Sequence, residues 1–123
     1  MAKNRRKPPT LSDEALDLLA ARFRVLAHPA RLRLLNALLG GERSVGDLAE
    51  ETDLEQPSVS RHLAALRSEG ILARRIDGKR CYYRVDDPSL AKLLQVVCGG
   101  LADRLSGDLD SLPNAKVWRG AGI

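Results

Sequence analysis

Residues 44–70 constrain the fold more than any other part of this chain, because their sequence predicts two short helices joined by a tight turn. Ser44 can cap the first helix, which extends to about Thr52, through its side-chain oxygen. Residues 53–55 then form the turn. Helices joined in this way are typical of a helix-turn-helix, in which the second helix enters the major groove of duplex DNA.

The second helix of the motif separates an apolar face from a polar one. Pro57 suits its first turn and Gly70 its end, and an inner stripe recurs at helical spacing as Val59, Leu63 and Leu66. The polar side chains gathered toward its leading end are predicted to contact DNA: Gln56, Ser58, Ser60, Arg61 and His62. Glutamine suits adenine, and arginine suits guanine or phosphate. For His62, base reading and a bond to a phosphate or to its own protein remain equal alternatives.

A basic hairpin is predicted directly after the motif. Residues 71–76 and 80–85 have the composition of β-strands, and Asp77-Gly78 between them is a strong turn signal. Alternation along the second strand gives one face toward the helices and an arginine-bearing face toward solvent or phosphate. The hairpin residues predicted to contact the DNA backbone, unless they are merely solvated, are Arg75, Lys79 and Arg80.

The distribution of charge agrees with a nucleic-acid partner. The formal net charge of the chain is +4, and residues 56–84 carry seven basic and only two acidic side chains. Residues 8–55 carry five basic and nine acidic ones. A positive excess confined to the proposed recognition helix and hairpin is what binding to phosphate requires, so double-stranded DNA is the predicted partner.

Three further helices complete the predicted order, two before the motif and one after the hairpin. They begin at Ser12, Pro29 and Asp87-Pro88. The first and last carry apolar stripes, formed by Leu16, Leu19, Phe23 and Leu26 and by Leu90, Leu94, Val97, Leu101 and Leu105. Gly99-Gly100 interrupts the last helix and suggests that another backbone approaches it closely. The predicted fold class is mainly α with a β-hairpin wing, a winged helix-turn-helix of four helices, two strands and a fifth helix.

The 123 residues are expected to form one domain over residues 11–105. A disordered basic tail is expected at residues 1–10, and a loose tail with an unexplained Trp118 at residues 106–123. No apolar segment is long enough to span a membrane, so the expected location is cytoplasmic. Two cysteines without paired spacing argue against a disulfide scaffold.

Over residues 12–105 the chain resembles the ArsR/SmtB family of winged-helix repressors. Three segments carry the resemblance: LAHPARLRLLNALL, LEQPSVSRHLAALRSEGIL and DGKRCYYRV. The resemblance implies a homodimer built through the first and fifth helices that binds operator inverted repeats and is released by an inducer, often a metal ion or metalloid. The apolar stripes on those helices agree with such a dimer, because a small domain cannot bury them alone.

The ligand sets that such repressors commonly use for metals are missing here. Ser44 and Gly46 stand where the resemblance would place two cysteines, and the fifth helix has no histidine. Cys81 and Cys98 remain, and two thiolates cannot complete a tetrahedral zinc site. They could hold a thiophilic inducer such as trivalent arsenic, or act as a redox or reactive-sulfur switch. The favoured interpretation is that both cysteines are ordinary buried core residues, and no cofactor is required.

Two other classes of protein agree less well with the sequence than a DNA-binding regulator does. A winged-helix module that docks onto proteins would not need the basic segment. In a thiol enzyme a cysteine and a histidine could in principle pair, but the sequence shows no glycine-rich phosphate loop, no paired carboxylate site and no convincing pocket. The chain is therefore predicted not to be an enzyme.

Overall fold

The structure, a computed structural model, describes residues 10–106 as five helices and a small sheet. The helices are α1 (Asp13–Leu26), α2 (Pro29–Leu38), α3 (Val45–Thr52), α4 (Gln56–Ser68) and α5 (Pro88–Leu105). The strands are β1 (Arg43–Ser44), β2 (Leu72–Asp77) and β3 (Arg80–Val85). The predicted tails are residues 1–10 and 106–123, and all of their residues except 10 and 106 lie outside the described residues, Trp118 included.

Side chains cap most of the helices at the predicted starts. At each of four starts a side chain accepts a hydrogen bond from a backbone N–H two or three residues ahead, which satisfies one of the unpaired donors of the first turn. The capping residues are Ser12, His28, Ser44 and Asp87. The α4 helix is the exception, because Glu55 at its N-cap makes no side-chain hydrogen bond.

The sheet contains one strand that the sequence did not predict. The two-residue β1 pairs with β3, so the order is β1-β3-β2, and two residues are too few to show the alternation by which strands are recognised. The predicted Asp77-Gly78 turn is displaced by one residue. Asp77 pairs with Arg80, and the turn consists of Gly78, with a φ of 62°, and Lys79. Glycine first in a two-residue hairpin turn suits this left-handed backbone.

The core lies where the recognition helix meets α2, α3 and the sheet. The predicted inner stripe of α4 is confirmed, since Val59, Leu63 and Leu66 are fully buried. They pack in one cluster with residues of every other helix and of both longer strands, among them Leu34, Leu35, Leu48, Leu72, Tyr83 and Leu90. The recognition helix is therefore held by its apolar side and leaves the opposite side open.

Arg22 of α1 joins three helices at one point. Its guanidinium forms a salt bridge with Asp87, the N-cap of α5, and donates a 3.0 Å hydrogen bond to the carbonyl of Glu69, the C-cap of α4. Hydrogen bonds from Ser89, with the charge of Arg22 contributing, hold the pKa of Asp87 below its ordinary value. The carboxylate is thus ionised at neutral pH and the junction stays paired.

The apolar stripes of α1 and α5 are largely uncovered in the single chain. Only Leu26 of α1 and Leu90 of α5 are buried, while Phe23 and Val97 remain 47% and 49% exposed. A side chain built at Gly100 would meet nothing within 4 Å. The close backbone approach predicted for the glycine pair is therefore not made at Gly100 by the described part of this chain.

Candidate nucleic-acid interface

The recognition helix presents most of its predicted contact residues to solvent. Gln56, Ser60 and Arg61 are exposed, whereas Ser58 and His62 are half-buried on the flanks. The turn that orients this helix passes through Asp53, whose φ of 59° lies in the left-handed region that aspartate tolerates. The burial of the inner stripe and the short turn together fix which side of α4 faces outward.

Arg61 is one of two exposed arginines on this helix, the other being Arg67 nearer its C-terminal end. Arg61 lies midway along α4, is exposed, and forms no ion pair within residues 10–106. An arginine without an internal carboxylate keeps its five donors for an external acceptor. Its geometry therefore suits a guanine edge or a phosphate group.

His62 is held by two residues from the beginning of α2. The Nε of Arg31 donates a 3.1 Å hydrogen bond to Nδ1 of His62, and the ring of His28 lies 4.5 Å away, tilted by 57°. Burial lowers the pKa of His62 below its ordinary value of 6.5, and the nearby charges of His28, Arg31 and Arg61 lower it further. The imidazole is therefore neutral at pH 7. Sequence reasoning missed Arg31, since no local pattern links positions so far apart.

The wing, formed by β2, β3 and the turn between them, contains two kinds of basic residue. Arg75 bonds both carboxylate oxygens of Glu42, at 2.7 and 3.2 Å, and lies 4.5 Å over the ring of Tyr82. The hydrogen bond from Arg75 lowers the pKa of Glu42. Lys79 and Arg80 are exposed at the turn, without an ion pair in residues 10–106. Arg75, in contrast, could contact a phosphate only by giving up its hydrogen bonds with Glu42.

The two cysteines are free thiols on separate elements. Cys81 of β3 packs against the core, on the face of the strand predicted to meet the helices, and Cys98 lies half-buried in the second half of α5. Within the described residues, no group of three or more histidine, cysteine, aspartate or glutamate side chains could hold a metal ion. A metal or metalloid bound by these thiols would therefore have to accept a low number of protein ligands.

A recognition helix packed on an apolar core, with a basic wing beside it, defines the winged helix-turn-helix class of DNA-binding proteins. The profile of the arsR family of bacterial regulatory proteins matches residues 28–74. The HTH-type transcriptional regulator Rv0081 of Mycobacterium tuberculosis is 41% identical over 107 residues, covering 86% of this chain and 94% of Rv0081. The chain belongs to the ArsR family of transcriptional regulators.

Other proteins similar to the chain agree with this membership. A probable mercury resistance operon repressor of Streptomyces lividans is 42% identical over 80 residues, covering 65% of this chain and 64% of the repressor. The crystal structure of Rv0081 is similar with a TM-score of 0.70, at 40% identity, over 78% of this chain and 97% of that one. The homodimeric winged helix-turn-helix domain of Mb0332 from Mycobacterium bovis has a TM-score of 0.72 at 32% identity, over 81% and 95% of the two chains.

The family membership confirms two predictions from the sequence. The fold class is a winged helix-turn-helix, and the protein is a transcriptional regulator rather than an enzyme. None of the helices within residues 10–106 has the length and apolar content needed to cross a membrane.

Proposed function

We propose that the protein is a homodimeric repressor that binds an operator inverted repeat with two copies of α4. The observation that carries this proposal is the division of α4 into two sides. Its inner stripe of Val59, Leu63 and Leu66 is fully buried, while polar residues of the other side, Gln56, Ser60 and Arg61, are exposed beside a basic wing. A rigidly held helix with a polar, cationic outer side is suited to entering a major groove.

The proposed dimer interface is formed by α1 and α5. Their uncovered apolar side chains include Leu16, Leu19, Phe23, Leu93, Val97 and Leu101, each between 37% and 49% exposed. Burial of this apolar surface against a second subunit lowers the free energy of both. A two-fold dimer would place its two recognition helices about 34 Å apart, which is one turn of DNA. The similarity to the homodimeric DNA-binding domain of Mb0332 supports a homodimer.

The operator can be found by selection from a pool of random-sequence duplexes. A dimer of this geometry should select an inverted repeat whose half-sites lie about 10 base pairs apart, centre to centre. Recovery of single, unpaired half-sites would contradict the dimeric mode of binding. Recovery of no preferred sequence would contradict sequence-specific recognition as a whole. The selected duplex serves as the operator in the experiments below.

The proposed DNA contacts divide by chemistry. Gln56 and Arg61 carry side chains that can form paired hydrogen bonds with adenine and guanine edges, and Ser58, Ser60 and His62 can contact bases or backbone. Lys79 and Arg80 at the turn of the wing are placed to contact phosphate. Arg75 belongs to this set only if operator phosphate replaces Glu42 as its partner.

Removal of the Arg61 guanidinium should weaken operator binding substantially. We expect Arg61→Ala to raise the free energy of binding by about 1–3 kcal/mol, because the complex loses the contact that the arginine makes with a base or a phosphate. The measurement is a titration of the selected duplex by fluorescence anisotropy. Arg33→Ala, on the exposed side of α2, removes the same charge away from α4 and should have little effect. Equal affinities of wild type and Arg61→Ala would refute the role of Arg61.

For the inducer, we propose a thiophilic species, such as trivalent arsenic, bound by Cys81 and Cys98. Both thiols are free: Cys81 lies in the wing, on β3, and Cys98 lies on α5, which belongs to the proposed dimer interface. The similarity to a probable mercury resistance operon repressor supports an inducer with affinity for sulfur. By linkage, an inducer that weakens DNA binding is itself bound more weakly by the operator complex, by the same factor.

Titration of an operator complex tests this proposal directly. Trivalent arsenite, mercuric ion, zinc and a mild oxidant are added separately to wild type, Cys81→Ser and Cys98→Ser. Release of DNA by arsenite or mercury from wild type, and its loss in both variants, is the expected result. Release by the oxidant alone would favour the alternative, a redox or reactive-sulfur sensor. Release that persists in both variants would show that neither thiol senses the inducer.

A further inference from the structure

Arg31 connects the end of α1 to the recognition helix through a single guanidinium group. Its Nη1 donates a 3.1 Å hydrogen bond to the carbonyl of Val25, near the C-terminus of α1. Its Nε donates a 3.1 Å hydrogen bond to Nδ1 of His62, in the middle of α4. Arg31 itself lies in the first turn of α2, outside the helix-turn-helix motif.

This hydrogen bond determines where the imidazole proton is. An arginine N–H can only donate, so Nδ1 of His62 must accept and carries no proton. A neutral imidazole has one N–H, and the pKa of His62 is lowered by burial, so the proton resides on Nε2. Nδ1 of the neighbouring His28 is likewise occupied, because it accepts from the backbone N–H of Ala30 at 3.3 Å.

The protonated nitrogen of His62 is open to an external partner. The Nε2–H of His62 donates no hydrogen bond to any acceptor within residues 10–106. Within those residues, no side-chain nitrogen or oxygen is both buried and without a partner. Nε2 therefore reaches solvent, on a helix whose outer side carries Arg61 one position earlier in the sequence.

We propose that Arg31 is a positioning residue for operator binding, which fixes His62 in the Nε2–H tautomer so that His62 donates to an acceptor on the DNA. The acceptor is a phosphate oxygen or the N7 or O6 atom of guanine, since these accept from an N–H donor. The inference rests on the proposed function and assigns to an α2 residue a role in the DNA contacts of α4.

The tautomer can be measured without DNA. Long-range ¹H–¹⁵N NMR correlations on the ¹⁵N-labelled full chain distinguish protonated from unprotonated imidazole nitrogens. We expect wild-type His62 to show protonated Nε2 and unprotonated Nδ1, and Arg31→Leu to show a mixture of the two tautomers. Arg31→Lys keeps a donor and should restore much of the wild-type pattern. A wild-type His62 protonated on Nδ1, or a pattern unchanged in Arg31→Leu, would overturn the proposal.

Operator affinity tests whether the tautomer matters for binding. Arg31→Leu should weaken binding to the selected duplex about three- to tenfold, the loss of one well-placed hydrogen bond. Arg33→Leu, an arginine of the same helix, serves as the control for lost charge. In a His62→Ala background, Arg31→Leu should add nothing further, because both changes remove the same contact.

Two binding results would overturn the role of Arg31. One is an equal loss from Arg31→Leu with and without His62, which would mean that Arg31 acts by another route. The other is an unchanged affinity in Arg31→Leu while Arg61→Ala still weakens binding. That result would leave DNA binding by α4 intact and remove only the positioning role. Thermal melts of each variant confirm that the fold is retained before affinities are compared.

Discussion

Val97→Glu should separate the protein into monomers and weaken operator binding by at least about 100-fold, or ~2.7 kcal/mol. Val97 lies midway along the apolar stripe of α5 and is 49% exposed in the single chain. A carboxylate at this position would have to be buried without a partner in the proposed interface, which is strongly unfavourable. A monomer would then engage only one half-site and lose the contacts of the second recognition helix.

Light scattering coupled to size-exclusion chromatography reports the oligomeric state, and anisotropy reports the affinity. Ile76→Glu is the matched control for oligomeric state, because Ile76 is also apolar and 65% exposed but lies on the wing. It should remain dimeric. A Val97→Glu protein that remains dimeric at micromolar concentration would exclude this part of α5 from the interface.

Operator affinity should fall steeply as salt concentration rises. If Arg61, Lys79 and Arg80 of both subunits contact phosphate, about six counterions are released on binding. The association constant should then decrease by about 10³–10⁵ between 50 and 200 mM salt, the range expected for six to ten phosphate contacts. If the protein were instead a module that docks onto other proteins, its affinity for DNA would depend much less steeply on salt concentration.

Variants of the wing show which contacts produce the salt dependence. Lys79→Gln removes one exposed cation from each subunit, so the slope of log K against log salt should decrease in magnitude by about two for a dimer. Affinity should decline similarly for operator and random duplexes, because a phosphate contact carries no sequence information. Lys92→Gln, in which an exposed lysine of α5 is changed, provides the comparison, and its slope should match wild type. A Lys79→Gln slope equal to that of wild type would place Lys79 away from the phosphate backbone.

Much of the fold follows from local sequence patterns. The inner stripe of α4 is predicted from the spacing of Val59, Leu63 and Leu66, and the helix starts from short polar residues and prolines, because these signals act over one or two turns. The two-residue β1 could not be predicted, since it exists only through its pairing with β3. The position of the hairpin turn was wrong by one residue because Asp77 and Gly78 both favour turns.

The site was less predictable than the fold, for a physical reason. Composition and helical phase are enough to place Gln56 and Arg61 on the outer side of α4. The pairing of Arg75 with Glu42, and of Arg31 with His62, joins residues more than thirty positions apart. Such contacts depend on how the elements pack. A pattern of residue types along one chain carries no record of that packing.

The junction at Arg22 limits how a signal can travel through the molecule. One guanidinium connects α1 to the N-cap of α5 and to the C-cap of α4. Bending α5 away from the recognition helix inside one subunit would break this three-way joint and leave an ionised Asp87 without its arginine. We therefore expect allosteric signals to turn each subunit as a rigid unit about the two-fold axis. Such a rotation changes the distance between the two recognition helices while the internal structure of each subunit is preserved.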